Sequence, residues 1–134
     1  MAELLYKQEV YQIMGACFNV YNDKGCGFLE PVYQECFEME MAHQDIPFQP
    51  QVELELTYRG RALQNKYMPD AVCYEKIIAE LKAERKLTDE HRAQVMNYLK
   101  ATGYRLGLLI NFGHHPDLQY ERIINTQGWM QTEE

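Results

Sequence analysis

The stretch that decides the fold is residues 68–83, which read MPDAVCYEKIIAELKA. Residues 71–74 have the pattern of a strand, and Glu75 and Lys76 form a turn after it. Residues 77–83 carry apolar side chains at every odd position. Period-two alternation is typical of a strand that buries one face. We therefore predict two adjacent strands, 71–74 and 77–83, joined as a hairpin.

Three ionisable residues lie on this hairpin. Asp70 precedes the first strand, and Glu80 and Lys82 lie on the second. The side chains of Glu80 and Lys82 point to one face because strand periodicity is two, and Asp70 can approach Glu80 across the strand pair. The apolar lead-in to Glu80 places these charges at the end of a buried stretch. Burying a charge is costly unless it is paired or bound to a metal.

Two carboxylates beside a lysine suit phosphodiester hydrolysis. Carboxylate oxygens are ligands for Mg²⁺ or Mn²⁺. Such an ion polarises a phosphoryl oxygen and makes hydroxide from bound water near neutral pH. Lys82 beside it can orient that water or stabilise charge on the phosphate. From spacing alone, the alternative is an ordinary surface strand of Glu80 and Lys82 with a Pro-Asp turn before it.

The rest of the chain shows helix and strand patterns in turn. Helices are predicted at 3–21, 31–44 and 89–102, and further strands at 52–58, 62–67, 106–112 and 118–124. Thr88 is the expected N-cap of the third helix and Gly103 its expected stop. Arg59 and Gly60 suggest a hairpin turn. Pro47 and Pro50 mark the end of the first helical part. The order α, α, β, β, β, β, α, β, β predicts one α/β domain over residues 1–134.

Length and composition limit the class of protein. The chain has 134 residues, 46% of them hydrophobic and 25% charged, which is ordinary for one globular domain. No run approaches the roughly 18 apolar residues of a membrane-spanning helix. The first residues lack the basic start and apolar run of a signal peptide. We therefore expect no membrane association and a cytoplasmic location.

The net charge of −7 hides a basic centre. Residues 58–105 hold ten bases and six acids. Eight of these bases surround the proposed site in sequence: Arg59, Arg61, Lys66, Arg85, Lys86, Arg92, Lys100 and Arg105. Cations that neutralise phosphates favour nucleic-acid binding, although the same residues can be solvated surface charges. The total charge therefore does not exclude a nucleic-acid partner.

Two further motifs carry a family resemblance. Residues 27–33 read G-x-x-E-x-x-Y and residues 94–98 read Q-x-x-x-Y. With Asp70, Glu80 and Lys82, in this order and spacing, they make nearly the whole chain resemble the GxxExxY family. That family is similar to a branch of the PD-(D/E)xK nuclease superfamily. The resemblance implies an α/β fold with a PD-(D/E)xK (restriction-endonuclease-like) core, a mixed β-sheet flanked by helices.

The resemblance also implies roles for individual residues. Asp70 and Glu80 match the two metal-binding acids, so the implied cofactor is Mg²⁺ or Mn²⁺. Lys82 matches the lysine that assists the attacking water. Glu30 matches a glutamate that supports the metal directly or through water. Gln94 matches a glutamine that orients the lysine or the phosphate.

Two tyrosines complete the set of site residues. Tyr98 lies four residues after Gln94 on the same helical face and is expected to support the site. Tyr33 matches the family tyrosine, and a place in the core is its alternative. Glu30 can instead cap the second helix, and Gln94 with Tyr98 can be an ordinary polar stripe. Glu84 can extend the metal site or be solvated at the strand end.

The first hypothesis is a metal-dependent, nuclease-like domain that hydrolyses phosphodiester bonds in DNA or RNA. The alternative is a non-catalytic nucleic-acid-binding or assembly protein that retains the nuclease scaffold. A chain of 134 residues has little beyond the core for target recognition. A homodimer or a partner protein is compatible with either hypothesis.

Overall fold

The computed structural model describes residues 4–126. In chain order its elements are α1 (Lys7–Lys24), α2 (Glu30–His43), β1 (Phe48–Pro50), β2 (Leu54–Tyr58), β3 (Arg61–Tyr67), β4 (Ala71–Cys73), β5 (Ile77–Lys82), α3 (Asp89–Thr102), β6 (Leu106–Asn111) and β7 (Gln119–Ile124). Within these residues, no helix combines the length and apolar character that crossing a membrane requires.

Five strands form one mixed sheet in the order β1-β4-β5-β6-β7. Its centre is the parallel pair β5 and β6, which α3 connects, and the other neighbouring strands are antiparallel. Every residue of β6 is buried. Strands covered on both faces are continuous apolar runs rather than alternating ones. The strand predicted at residues 106–112 is β6, and its complete burial agrees with its continuous apolar sequence.

Helices cover both faces of this sheet. On one face, Ile13 of α1 and Phe37 of α2 join Leu108 of β6 in an apolar cluster. On the other face, Leu99 of α3 packs in a second cluster with Ile78 of β5. The predicted α/β fold class, a mixed sheet flanked by helices, is confirmed.

The strands β2 and β3 form a separate two-stranded sheet. Their turn is the predicted one, with φ of 52° at Arg59 and 78° at Gly60. Two consecutive positive φ angles match the twist of a two-residue hairpin turn. Leu54 and Leu56 attach the hairpin to the apolar cluster beneath α3.

Several element bounds differ from the sequence prediction, including the end of α1, at Lys24 rather than residue 21, and the start of β2, at Leu54 rather than residue 52. Helix α1 begins at Lys7 rather than residue 3, because Tyr6 before it has a left-handed backbone with φ of 54°; residue 3 itself lies outside the described residues. The structure also adds β1, where Pro50 ends a short strand at the edge of the sheet. Proline is tolerated at an edge because no neighbouring strand needs its missing N–H.

The N-terminus of α3 is fixed as predicted. The Thr88 hydroxyl accepts the His91 N–H at 3.3 Å, and the His91 Nδ1 accepts the Thr88 N–H at 3.1 Å. This reciprocal capping satisfies two of the free amides of the first turn. Gly103 ends the helix with φ of 83°.

Asn111 ties the chain after β5 to the loop after β6. Its Oδ1 accepts the Glu84 N–H at 2.9 Å and the Gly113 N–H at 3.1 Å. A Cβ at Gly113 would lie 2.5 Å from the backbone N and O of Glu84. Only glycine permits this approach, which stabilises the chain just beyond Lys82.

We predict that Gly113→Ala lowers the free energy of unfolding by about 1–3 kcal/mol, because the backbone at residue 84 must move to admit the methyl group. Urea denaturation measures the change. The matched control is Gly27→Ala, since no atom lies within 4 Å of the added Cβ at Gly27. Equal stability of the two variants would contradict the packing described for Gly113.

Candidate active site

The β4–β5 hairpin brings Asp70 and Glu80 together. Ala71 pairs with Ala79 in the antiparallel register, so Asp70 lies opposite Glu80 at the next position. Both carboxylate side chains are partly buried. The predicted meeting of these two acids across the strand pair therefore follows from the observed register.

Hydrogen bonds orient both carboxylates. The Glu80 Oε1 accepts the Tyr67 hydroxyl at 2.9 Å and the Asp70 N–H at 3.3 Å. The Asp70 Oδ2 accepts the Leu81 N–H at 2.7 Å. Each carboxylate is thus held in part by the backbone of the opposite strand. Hydrogen bonds of this kind fix a site before any ligand arrives.

Burial opposes ionisation of both acids. Desolvation, with the nearby charge of Asp70, raises the pKa of Glu80 to about 7. Desolvation also raises the pKa of Asp70 above its usual value. The Lys82 ammonium and the hydrogen bonds lower both pKa values, but only in part. The positive charge of Lys82 therefore compensates these two acids only in part.

This donor set fits a hard divalent cation. Among residues 4–126, no Lys, Arg or His nitrogen lies within 4.0 Å of the carboxylate oxygens of Asp70 or Glu80. In the same residues, no group of three or more His, Cys, Asp or Glu side chains is arranged to hold an ion. Mg²⁺ is commonly bound by one or two carboxylates and keeps several waters. The pair alone is sufficient for that kind of site.

Glu30 shares the electrostatic environment of this pair. It is the first residue of α2, and burial raises its pKa, with the charges of Asp70 and Glu84 adding to the rise and that of Lys82 opposing it. The N-cap of α2 is Leu29, and no side chain caps that end of the helix. The capping alternative for Glu30 is therefore not observed.

Tyr33 lies in the core beneath the start of α2. It is fully buried and stacks on Phe112 with ring centroids 4.8 Å apart. Its hydroxyl donates to the Gly25 carbonyl at 2.5 Å and accepts the Phe28 N–H at 3.1 Å. Tyr33 therefore stabilises the loop that leads into Glu30.

Helix α3 contributes both Tyr98 and Gln94, which line the same surface groove. Tyr98 stacks on Tyr67 with centroids 3.7 Å apart and rings 4° from parallel. Because Tyr67 donates to Glu80, Tyr98 supports the site through one intermediate residue. Gln94 is exposed one turn earlier, in a groove of about 520 Å³ that His91 also lines. Within residues 4–126 its amide makes no hydrogen bond to another residue.

Sequence reasoning did not include Tyr67 in the site. Residues 61–66 of β3 are all exposed, whereas Tyr67 is buried and contacts Glu80. The available signal was a large aromatic residue at the end of a polar strand, three positions before Asp70. Its contact with Glu80 depends on the approach of two separate sheets, which no local pattern encodes.

An acidic cavity beside Asp70 was also not predicted. It has a volume of about 290 Å³, and the residues lining it are Glu30, Pro31, Gln34, Glu35, Glu38, Gln51 and Asp70. Gln34 Nε2 donates to the Glu38 carboxylate at 2.7 Å and to the Asp70 carbonyl at 3.0 Å. The sequence signal for this cavity was the four-residue spacing of Glu30, Gln34 and Glu38, which places their side chains on one face of α2.

A larger cavity of about 780 Å³ lies between α1 and β7 and contains none of the predicted site residues.

Comparison with known proteins identifies the superfamily and a similar fold. The model of a family described as PD-(D/E)XK nuclease superfamily matches residues 7–123. The crystal structure of SSO0001 is similar, with a TM-score of 0.55 and 17% sequence identity. The alignment covers 96% of this chain but only 63% of that one, so this chain spans less than two thirds of that protein, and the likeness concerns the fold alone. No curated protein matches the chain.

We predict that Glu80 destabilises the metal-free protein as pH rises. Between the ordinary carboxyl pKa of 4.5 and about 7, the folded state binds more protons than the unfolded state. The free energy of unfolding therefore falls with increasing pH in this range, by on the order of 3 kcal/mol. Glu80→Gln keeps the accepting oxygen but removes the charge, so the variant should melt at a higher temperature than the parent at pH 8.

Thermal melts of both proteins at pH 5 and pH 8 in a chelator measure this difference. The melting-temperature difference should be larger at pH 8. The control is Glu84→Gln, which neutralises an exposed carboxylate two residues beyond Lys82. A Glu80→Gln difference that is the same at both pH values would contradict the account of the Glu80 environment.

Proposed function

The chain belongs to the PD-(D/E)XK nuclease superfamily, and we propose that it is a metal-dependent nuclease that hydrolyses phosphodiester bonds in DNA or RNA. The observation that carries this proposal is the pair of partly buried carboxylates, Asp70 and Glu80, on paired strands with Lys82 two residues beyond. Superfamily membership supports a nucleic-acid substrate. Lys82 compensates the negative charge of Asp70 and Glu80 only in part, which supports a bound cation at this site.

Asp70 and Glu80 would hold Mg²⁺ or Mn²⁺, with Glu30 as a further acid nearby. When bound, the ion polarises a phosphoryl oxygen and lowers the pKa of a coordinated water. The protein contributes orientation. The Tyr67 hydroxyl directs the Glu80 carboxylate, and the Leu81 N–H directs that of Asp70. These contacts keep both acids in place while substrate binds and product leaves.

Lys82 acts on the water and the phosphate. Lys82 lies two positions after Glu80 on β5, so both side chains point to the same face of the strand, and its charge lowers the pKa values of Glu30, Asp70 and Glu80. It can donate a hydrogen bond to the attacking water and stabilise the negative charge that develops on the phosphate. The water oxygen then bonds to phosphorus, the bond to the leaving oxygen breaks, and that oxygen takes up a proton.

The supporting residues belong to the same proposal. Gln94 lies on the α3 surface, where its amide can orient Lys82 or the phosphate. Tyr98 supports Glu80 through the stacked Tyr67. We also assign the chain to the GxxExxY branch, supported by Glu30 at the site and Tyr33 beneath it, and propose one nuclease domain over residues 1–134.

We predict that the purified protein cleaves labelled DNA or RNA with Mg²⁺ or Mn²⁺, and that Asp70→Asn and Lys82→Met each lower the rate at least about 100-fold. Asp70→Asn removes a metal-binding charge, whereas Lys82→Met keeps the length of the side chain but removes the ammonium. Gel-based cleavage of single- and double-stranded DNA and RNA, with and without a chelator, measures the rates.

The matched control is Glu75→Gln, because Glu75 is an exposed acid in the turn between β4 and β5, at the end of β5 far from Lys82. Its rate should stay within about threefold of the parent rate, since exposed substitutions away from a site have small effects. The nuclease proposal fails if no substrate is cleaved with either metal. Binding that both site variants retain would then favour the non-catalytic scaffold.

A further inference from the structure

The β2–β3 hairpin is an exposed ribbon. Residues 61–66 are all exposed, and β2 has no buried residue. An isolated two-stranded hairpin is marginally stable in water. This hairpin is retained by Leu54, Leu56 and Tyr67, which pack in the apolar cluster beneath α3. Most of the hairpin is therefore exposed to solvent and does not contribute to the hydrophobic core.

The free end of the ribbon is basic. Its turn holds Arg59, and Arg61 pairs across the strands with Tyr58, which is 67% exposed. Within residues 4–126, neither arginine forms an ion pair within 4.0 Å. By contrast, Arg92 lies 2.7 Å from the Glu121 carboxylate. The charges at the turn are therefore available to a partner.

The remaining charges of the hairpin lie toward its root. Lys66 stands opposite Glu55 in the strand register, and Glu53 precedes β2. The root therefore carries both signs, while the turn carries only positive charge. An anionic partner would be attracted to the turn and not to the whole ribbon.

The root of the ribbon is joined to the candidate active site. Strand β3 ends at Tyr67, which donates to the Glu80 carboxylate, and Asp70 follows three residues later. Tyr67 lies six positions after Arg61 in β3, a span of roughly 20 Å at about 3.3 Å per residue. A polyanion bound along the ribbon would therefore extend toward the acids and Lys82.

From these observations we propose that the β2–β3 hairpin is a binding arm for duplex DNA. It lies in the major groove, and Arg59 and Arg61 contact backbone phosphates. This inference rests on the proposed function, because it names the substrate class of that site. The major groove of B-form DNA is about 12 Å wide and admits a two-stranded β-ribbon. The major groove of A-form RNA is too deep and narrow for side chains to read, so the shape of the arm favours DNA.

Binding measured without divalent cations tests this arm separately from cleavage. Fluorescence anisotropy of a labelled DNA duplex over a salt series gives the slope of log K against log salt concentration. The double variant Arg59→Ala/Arg61→Ala should reduce the magnitude of this slope by about 2, because each lost phosphate contact removes about 1. The affinity should fall similarly for unrelated DNA sequences.

Two variants serve as controls. Arg59→Lys/Arg61→Lys keeps both charges and should preserve most of the slope. Lys7→Ala removes an exposed cation of α1, which packs on the opposite face of the sheet, and should leave the slope unchanged. Circular dichroism of each variant checks that the fold is retained.

An unchanged salt-dependence slope in Arg59→Ala/Arg61→Ala would contradict the proposal that the β2–β3 hairpin binds duplex DNA. An equal slope change on an RNA duplex of the same length, with equal affinity, would overturn the assignment to DNA. Loss of cleavage in Lys82→Met with normal DNA binding would leave the arm intact. If the parent cleaves DNA but the arginine substitutions do not change DNA binding, the proposed role of the hairpin is wrong and the nuclease proposal stands.

Discussion

The candidate site depends on one constraint: the pairing of β4 with β5 places two carboxyl groups opposite each other in partly buried positions. Both groups lose hydration, and the charge of Asp70 also opposes ionisation of Glu80, so both pKa values rise. Among residues 4–126, no basic side chain within 4.0 Å compensates them. Burial of uncompensated charge destabilises a fold. The apolar clusters on both sheet faces must offset this cost.

Three tyrosines connect this pair to the rest of the molecule. Tyr67 bonds to Glu80 and stacks on Tyr98, which brings the β2–β3 hairpin and α3 to the same carboxylate. Tyr33 stabilises the loop before Glu30. Side chains held by packing and hydrogen bonds keep a reactive geometry more precisely than exposed ones. The superfamily core therefore positions the acids, and elements outside the main sheet hold them there.

Local sequence patterns predicted most of this arrangement. The alternation in residues 77–83 indicated β5, and Thr88 with Gly103 marked the ends of α3. The sequence patterns gave wrong element bounds where a backbone feature departed from the usual preference of the residue type. Pro50 concealed the edge strand β1 in the sequence pattern, and the left-handed backbone of Tyr6 makes α1 begin later than predicted. The contact of Tyr67 with Glu80 arises from packing between two sheets, which hydrophobic periodicity does not encode.

The central claim is that Asp70 and Glu80 form a binding site for one divalent cation. Titration with Mn²⁺ at pH 8, followed by electron paramagnetic resonance of the free ion, tests it most directly. The account predicts saturation at one ion per chain, weaker binding below about pH 7 as Glu80 takes up a proton, and loss of the site in Asp70→Asn. Absence of saturable binding, or equal binding by Asp70→Asn, would contradict it.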